Sequence, residues 1–223
     1  METGVSDLEQ TIEDLWKRVR QTNLYGGRPR NADSEESVAA AQSALSQARQ
    51  SGDPRFLREA WCMMAFALNA NEQYVESILY SRQAIPALEA AGEIERAARM
   101  RLGFIMALST TGQSREALAV GREAEKVFRE TGDRASLAKL VTNLGAVYQR
   151  LDDYERSVQC HFEAAELFKA VGDERALAQA CLNLGSVLCF LDRFSESEEM
   201  YEKCDEIASR FDLPDLRAHA AYN

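Results

Sequence analysis

One turn recurs four times in this chain, as Gly52-Asp53, Gly92-Glu93, Gly132-Asp133 and Gly172-Asp173, each 40 residues after the last. Asn143-Leu144-Gly145 returns as Asn183-Leu184-Gly185 at the same interval, and Asn223 falls 40 residues later again. A fixed period of this size is the mark of a stacked helical array, in which each repeat buries its apolar face against its neighbours. The stretch from Thr131 to Asp173 holds one complete unit, bounded by two copies of the turn.

Each unit reads as a helical hairpin. The spacing predicts helices over 54–70 and 73–91, 94–111 and 114–131, 134–151 and 154–171, and 174–191 and 194–211. The connections inside a pair, such as Gly112-Gln113, Asp152-Asp153 and Asp192-Arg193, are short enough to force antiparallel neighbours. Between pairs, Gly ends one helix and Asp caps the next. Pro86 predicts a kink or an early end to its helix, since proline removes a backbone donor and crowds the preceding turn.

The N-terminal part departs from the pattern. Leu8, Ile12, Leu15, Trp16 and Val19 make one apolar stripe over 5–24. Gly26-Gly27 and Arg28-Pro29 then break into a basic loop over 25–33, followed by a helix over 34–50 with Ser34 as its cap. Ser37-Val38 aligns with Ser77-Ile78 and Ser157-Val158, so 34–50 is the second helix of a divergent first hairpin. Two regions result: 1–33, a divergent helix plus a long loop, and 34–223, the array. Leu213-Pro214-Asp215 opens one more helix, and the chain stops inside that repeat. The expectation is a longer intact protein, and end-to-end self-association of this fragment through its open last helix.

A net charge of −10 argues against general nucleic-acid binding and against attraction to anionic membranes. The start, METGVSDLEQ, lacks a signal peptide, and no apolar run reaches the roughly 18 residues of a membrane span. Five cysteines without a pairing pattern fit a reducing, cytoplasmic setting. Nothing points to catalysis, metal or cofactor. There is no phosphate loop and no His-Glu-x-x-His motif, and Cys160-His161 are adjacent helical residues that point about 100° apart. Ser195 to Glu199, with Glu202, reads as an acidic patch on an outer helix: a solvated face, or a docking patch for a basic segment.

Gly145 and Gly185 sit mid-helix, where Gly costs about 1 kcal/mol relative to Ala. Close approach of a second helix accounts for them. Ala117, Ala124, Ala164 and Ala165 supply small partners, and Leu144, Tyr148, Tyr154, Leu167 and Phe168 supply bulk. Leu144, Gly145, Tyr148 and Ala164, with Asn183-Leu184-Gly185, resemble the tetratricopeptide-repeat family. The 40-residue period is similar to the extended variety of kinesin light chains, Pins-type adaptors and bacterial multidomain arrays. Ile105 and Ala65 stand where that family has Gly, and Ser157 and His161 where it has Ala and an aromatic residue.

The resemblance implies an all-α, right-handed superhelical solenoid of antiparallel helix pairs, its first helices lining a concave groove. It implies a non-enzymatic scaffold for protein–protein interaction, holding a peptide or helical segment in that groove. Asn143, Asn183 and Asn223 fall where related proteins bond a peptide backbone, a task an amide suits because it both donates and accepts. Lys139, Gln179 and Arg150 lie on the same face, and Met63 and Gly103 occupy the asparagine position in earlier repeats. The alternative is a regulatory or sensor region of a larger multidomain protein, such as a bacterial CHAT-type peptidase.

Overall fold

The structure, a computed structural model, describes residues 10, 12–14, 16, 17 and 31–222, with side chains at 31–34 and 221–222 left aside. Every extended element among the described residues is an α-helix. In order they are α1 (Asn31–Ser51), α2 (Pro54–Ala70), α3 (Tyr74–Ala90), α4 (Ile94–Thr110), α5 (Ser114–Thr131), α6 (Arg134–Gln149), α7 (Tyr154–Val171), α8 (Glu174–Phe190), α9 (Phe194–Arg210) and α10 (Pro214–Tyr222). The chain divides into two compact units, Met1–Gly112 and Gln113–Asn223, and each is described by itself. The hairpin expected over 94–131 straddles that division.

Position drives the helix ends. The residues with positive φ stand at Gly52, Glu72, Gly92, Gly112, Gly132, Asp152, Gly172, Asp192 and Asp212, one every 20 residues. Each stops a helix by turning left-handed, the conformation glycine adopts without cost. Asp53, Asp133 and Asp173 then cap the following helices, accepting from the backbone N–H of Arg55, Ser136 and Ala176. The 40-residue period is therefore two half-periods of 20, and in the second half an acidic residue usually takes the glycine's place.

In the first unit α2 and α3 form a hairpin, α1 packs on α2, and α4 packs on both α3 and α2. Its core is rich in alanine, with Ala41, Ala44, Ala48 and Ala60 buried beside Met63, Met64 and Ile12 of the N-terminal helical residues. In the second unit α6–α7 and α8–α9 are hairpins, α5 packs on α6, and α10 packs on α9 and α8. Phe128, Leu140, Val147, Ala164 and Val187 are almost fully enclosed there. Leu144 is buried against Gly121, where an added Cβ would fall 2.6 Å from its Cδ2.

Two sequence expectations change. The helix over 34–50 begins earlier, at Asn31. Pro86 does not end its helix, which continues to Ala90. Pro86 lies on the exposed side of that helix, away from its buried residues Ala84, Ile85 and Leu88.

Candidate partner-binding face

The first helices of the first unit, α2 and α4, meet closely at Gly103. Asn69 Nδ2 donates to the Gly103 carbonyl at 2.9 Å, and an added Cβ at Gly103 would fall 2.6 Å from that nitrogen. Glycine is what lets the amide cross. The other half of the amide, Oδ1, is buried without a hydrogen-bond partner. Beside it lies an open cavity of about 420 Å³, lined by Phe66, Ala70, Met100, Leu102 and Met106 among others. Phe66 and Met106 are 37% and 40% exposed, high for large apolar side chains on an ordered helix. Trp16 reaches the edge of Phe66, 6.2 Å between ring centroids, and its indole N–H donates to Glu59 at 3.0 Å. Gly103, at the asparagine position of its repeat, lines this cavity. Met63 does not: it is fully buried in the core.

In the second unit, Lys139 and Asn143 are one turn apart on α6, and Gln179 and Asn183 one turn apart on α8. Lys139 and Gln179 are exposed, and both asparagines are half-buried. Gln179 Nε2 donates to Asn183 Oδ1 at 3.0 Å, which holds that amide in one orientation. Arg150 is separate: it follows the end of α6 as the capping residue and is exposed in the turn. Asn223 lies outside the described residues.

What sequence reasoning missed is a serine device. Ser77 Oγ donates to Ala65 O at 2.8 Å, Ser157 Oγ to Gly145 O at 2.9 Å, and Ser197 Oγ to Gly185 O at 2.8 Å. In these three hairpins a hydroxyl on the second helix thus grips a carbonyl in the middle of the first. The signal was present, since Ser77 and Ser157 align the repeats in the sequence. Gly145 faces the His161 ring, and Gly185 faces the Tyr201 ring; an added Cβ would fall 2.7 Å and 2.8 Å from the nearest ring atoms. His161 therefore fills the place of an aromatic residue.

The chemistry of the cysteines and histidine follows their burial. Desolvation pushes the Cys160 thiol up to about 12 and His161 down to about 4, so at neutral pH both are uncharged. A protonated thiol is a poor nucleophile. Among the described residues no cluster of three His, Cys, Asp or Glu side chains could hold a metal ion, and no helix is long and apolar enough to cross a membrane. The acidic patch is thinner than it looks in the sequence. Ser197 is buried in its carbonyl bond and Glu196 pairs with Arg193 at 2.6 Å, which leaves Glu198, Glu199 and Glu202 exposed.

Residues 136–210 match the family model of the tetratricopeptide repeat. This segment consists of tetratricopeptide repeats. No curated protein matches the chain. Among solved structures, BtubC (BKLC) from P. vanneervenii is similar at 18% identity with a TM-score of 0.71, over 92% of each chain. A putative kinesin light chain of Podosopora anserina with nearly identical TPR-like repeats matches at 14% identity and TM-score 0.70, over 93% of this chain and 97% of that one. PlcR of Bacillus thuringiensis, in complex with the peptide PapR7 and DNA, matches at 13% identity and TM-score 0.70, over 98% of this chain and 75% of that one. At such identities the likeness is one of fold: antiparallel helix pairs of the tetratricopeptide-repeat kind.

Proposed function

We propose that this chain is a non-enzymatic interaction scaffold whose first helices receive a peptide or helical segment of a partner protein. The observation that carries the reading is the open apolar cavity beside Asn69 and Gly103, which exposes Phe66 and Met106 on the first-helix side of the first unit. Such a cavity takes a large apolar side chain of that segment. In the second unit Lys139, Asn143, Gln179 and Asn183 offer amides and a cation on the corresponding helices, suited to an extended backbone and an acidic side chain. PlcR, similar in fold, is complexed with a peptide, which supports a peptide ligand for this fold. The net charge of −10 speaks against DNA as the ligand here.

The test is capture of partners from native lysate by wild type, by Met106→Glu and by the double variant Asn143→Ala/Asn183→Ala, with melting temperatures measured alongside. A partner bound by the wild type and lost from the variants at unchanged melting temperature establishes the reading. A partner retained by both variants refutes it.

A further inference from the structure

The second helices of the repeats keep an apolar column, and the column breaks at one place. At 40-residue steps Val38, Ile78, Leu118 and Val158 are followed by Glu198. One turn further along the helix the repeats are mixed: Gln42, Arg82, Arg122 and Phe162 precede Glu202, and Leu45, Ile85, Glu125 and Ala165 precede Asp205. In the second unit Val158, Phe162 and Ala165 line a cleft between α7 and α9, floored by Leu184 and Leu188, where Arg193 and Lys203 accompany the carboxylates of Glu166, Glu196 and Glu199. The same positions of α9 line a cleft between α9 and α10, and there they are carboxylates. Phe194, Tyr201 and Ala220 give this second cleft an apolar part, and Phe194 is 62% exposed.

The charge balance of the cleft is one-sided. Glu198, Glu202, Asp205 and Glu206 line it with a single cation, Arg217, which pairs with Asp205 at 3.2 Å. Arg210 reaches Glu206 from outside, at 2.8 Å. Glu198, Glu202 and Glu206 are spaced four apart, so their charges stack along one helix face, an arrangement that destabilises a free helix. A row of exposed carboxylates beside exposed aromatic surface matches a ligand with a cationic edge and an apolar stripe.

We propose that the cleft between α9 and α10 is a docking surface for a lysine- and arginine-rich amphipathic segment of a partner protein. The apolar stripe of that segment lies on Phe194 and Tyr201, and its cations pair with Glu198 and Glu202. This surface is separate from the first-helix face and does not depend on the reading of that face.

The experiment titrates a labelled helical peptide of leucine and lysine into the full chain, followed by fluorescence anisotropy, with a leucine and glutamate peptide as counterpart. Three double variants accompany the wild type: Glu198→Lys/Glu202→Lys, Glu76→Lys/Glu123→Lys, which makes the same change of net charge at exposed positions elsewhere, and Asn143→Ala/Asn183→Ala. The proposal expects binding of the lysine peptide only, weakened by added salt. It expects a loss of about tenfold or more in Glu198→Lys/Glu202→Lys, with affinity kept in the other two. The first variant should melt no lower than wild type, because it relieves repulsion. Equal losses in the two charge variants would assign the binding to the overall field and overturn the proposal. Binding of neither peptide, or of both alike, would overturn it too.

Discussion

The Ser157 hydroxyl donates to the backbone carbonyl of Gly145, 2.9 Å away on the other helix of its hairpin. The serine is fully buried, and the glycine brings the two backbones close enough for so short a side chain to reach. Ser197 and Gly185 repeat the arrangement one hairpin on.

Replacing Ser157 with Ala removes the donor while the carbonyl keeps its place in the helix. A buried neutral hydrogen bond contributes about 1 kcal/mol net. Urea unfolding of Ser157→Ala should show a loss of that size, and Ser197→Ala the same. No measurable loss in either variant would mean that the hydroxyl only fills space.

Gly145→Ala should reverse the usual sign. In an ordinary helix interior the change gains about 1 kcal/mol. Here the new methyl would meet the His161 ring at 2.7 to 3.0 Å, and overpacking of this kind costs roughly 1–3 kcal/mol. The double variant Gly145→Ala/His161→Ala should recover part of the loss, giving a coupling that a thermodynamic cycle measures. Additive effects would contradict the contact.

His161 gives a pH dependence of known sign. Burial lowers its folded pKa from 6.5 to about 4, so the folded state refuses a proton that the unfolded chain accepts. Its stabilising effect is complete above pH 6.5 and is lost as pH falls toward about 4, roughly 3 kcal/mol in all. His161→Phe should remove this component and also the buried, unpartnered Nδ1. Unfolding of both proteins across that range checks it: the advantage of His161→Phe should widen steadily as the solution is acidified.

Glu72 holds φ of 58° in the turn between α2 and α3 and is exposed. A left-handed conformation costs a side-chain-bearing residue about 1 kcal/mol that glycine does not incur. Glu72→Gly should raise stability by about that much in thermal unfolding. Gly112→Ala, at φ of 82°, should lower it similarly.

The helices were legible because the 40-residue repeat locates their ends, and the boundaries of α2 to α9 lie within a residue or two of those the spacing predicts. The left-handed turns inside the pairs were not, because Glu72, Asp152 and Asp192 give no compositional sign that they turn left-handed. Ser157 and His161 looked like departures from a small residue and an aromatic one. In the fold they are working replacements, one adding a hydrogen bond and the other matching the place of Tyr201. Pro86 was read by its chemistry alone, and only its exposure explains why the helix survives it. On the first-helix face, the repeat pointed to Asn143, Gln179 and Asn183 as candidates, but Asn69 and its cavity were hidden. The amide is placed by Gly103, a partner 34 residues away that no local pattern connects to it.

The even spacing of the turns fixes more than direction. From α2 to α9 every helix runs 16 to 18 residues. One residue more or less inside a helix would rotate everything after it by about 100° and carry the buried stripe off its neighbour. Changes in chain length are thus filtered by position: single-residue insertions belong at the turns, and growth elsewhere must come in whole hairpins.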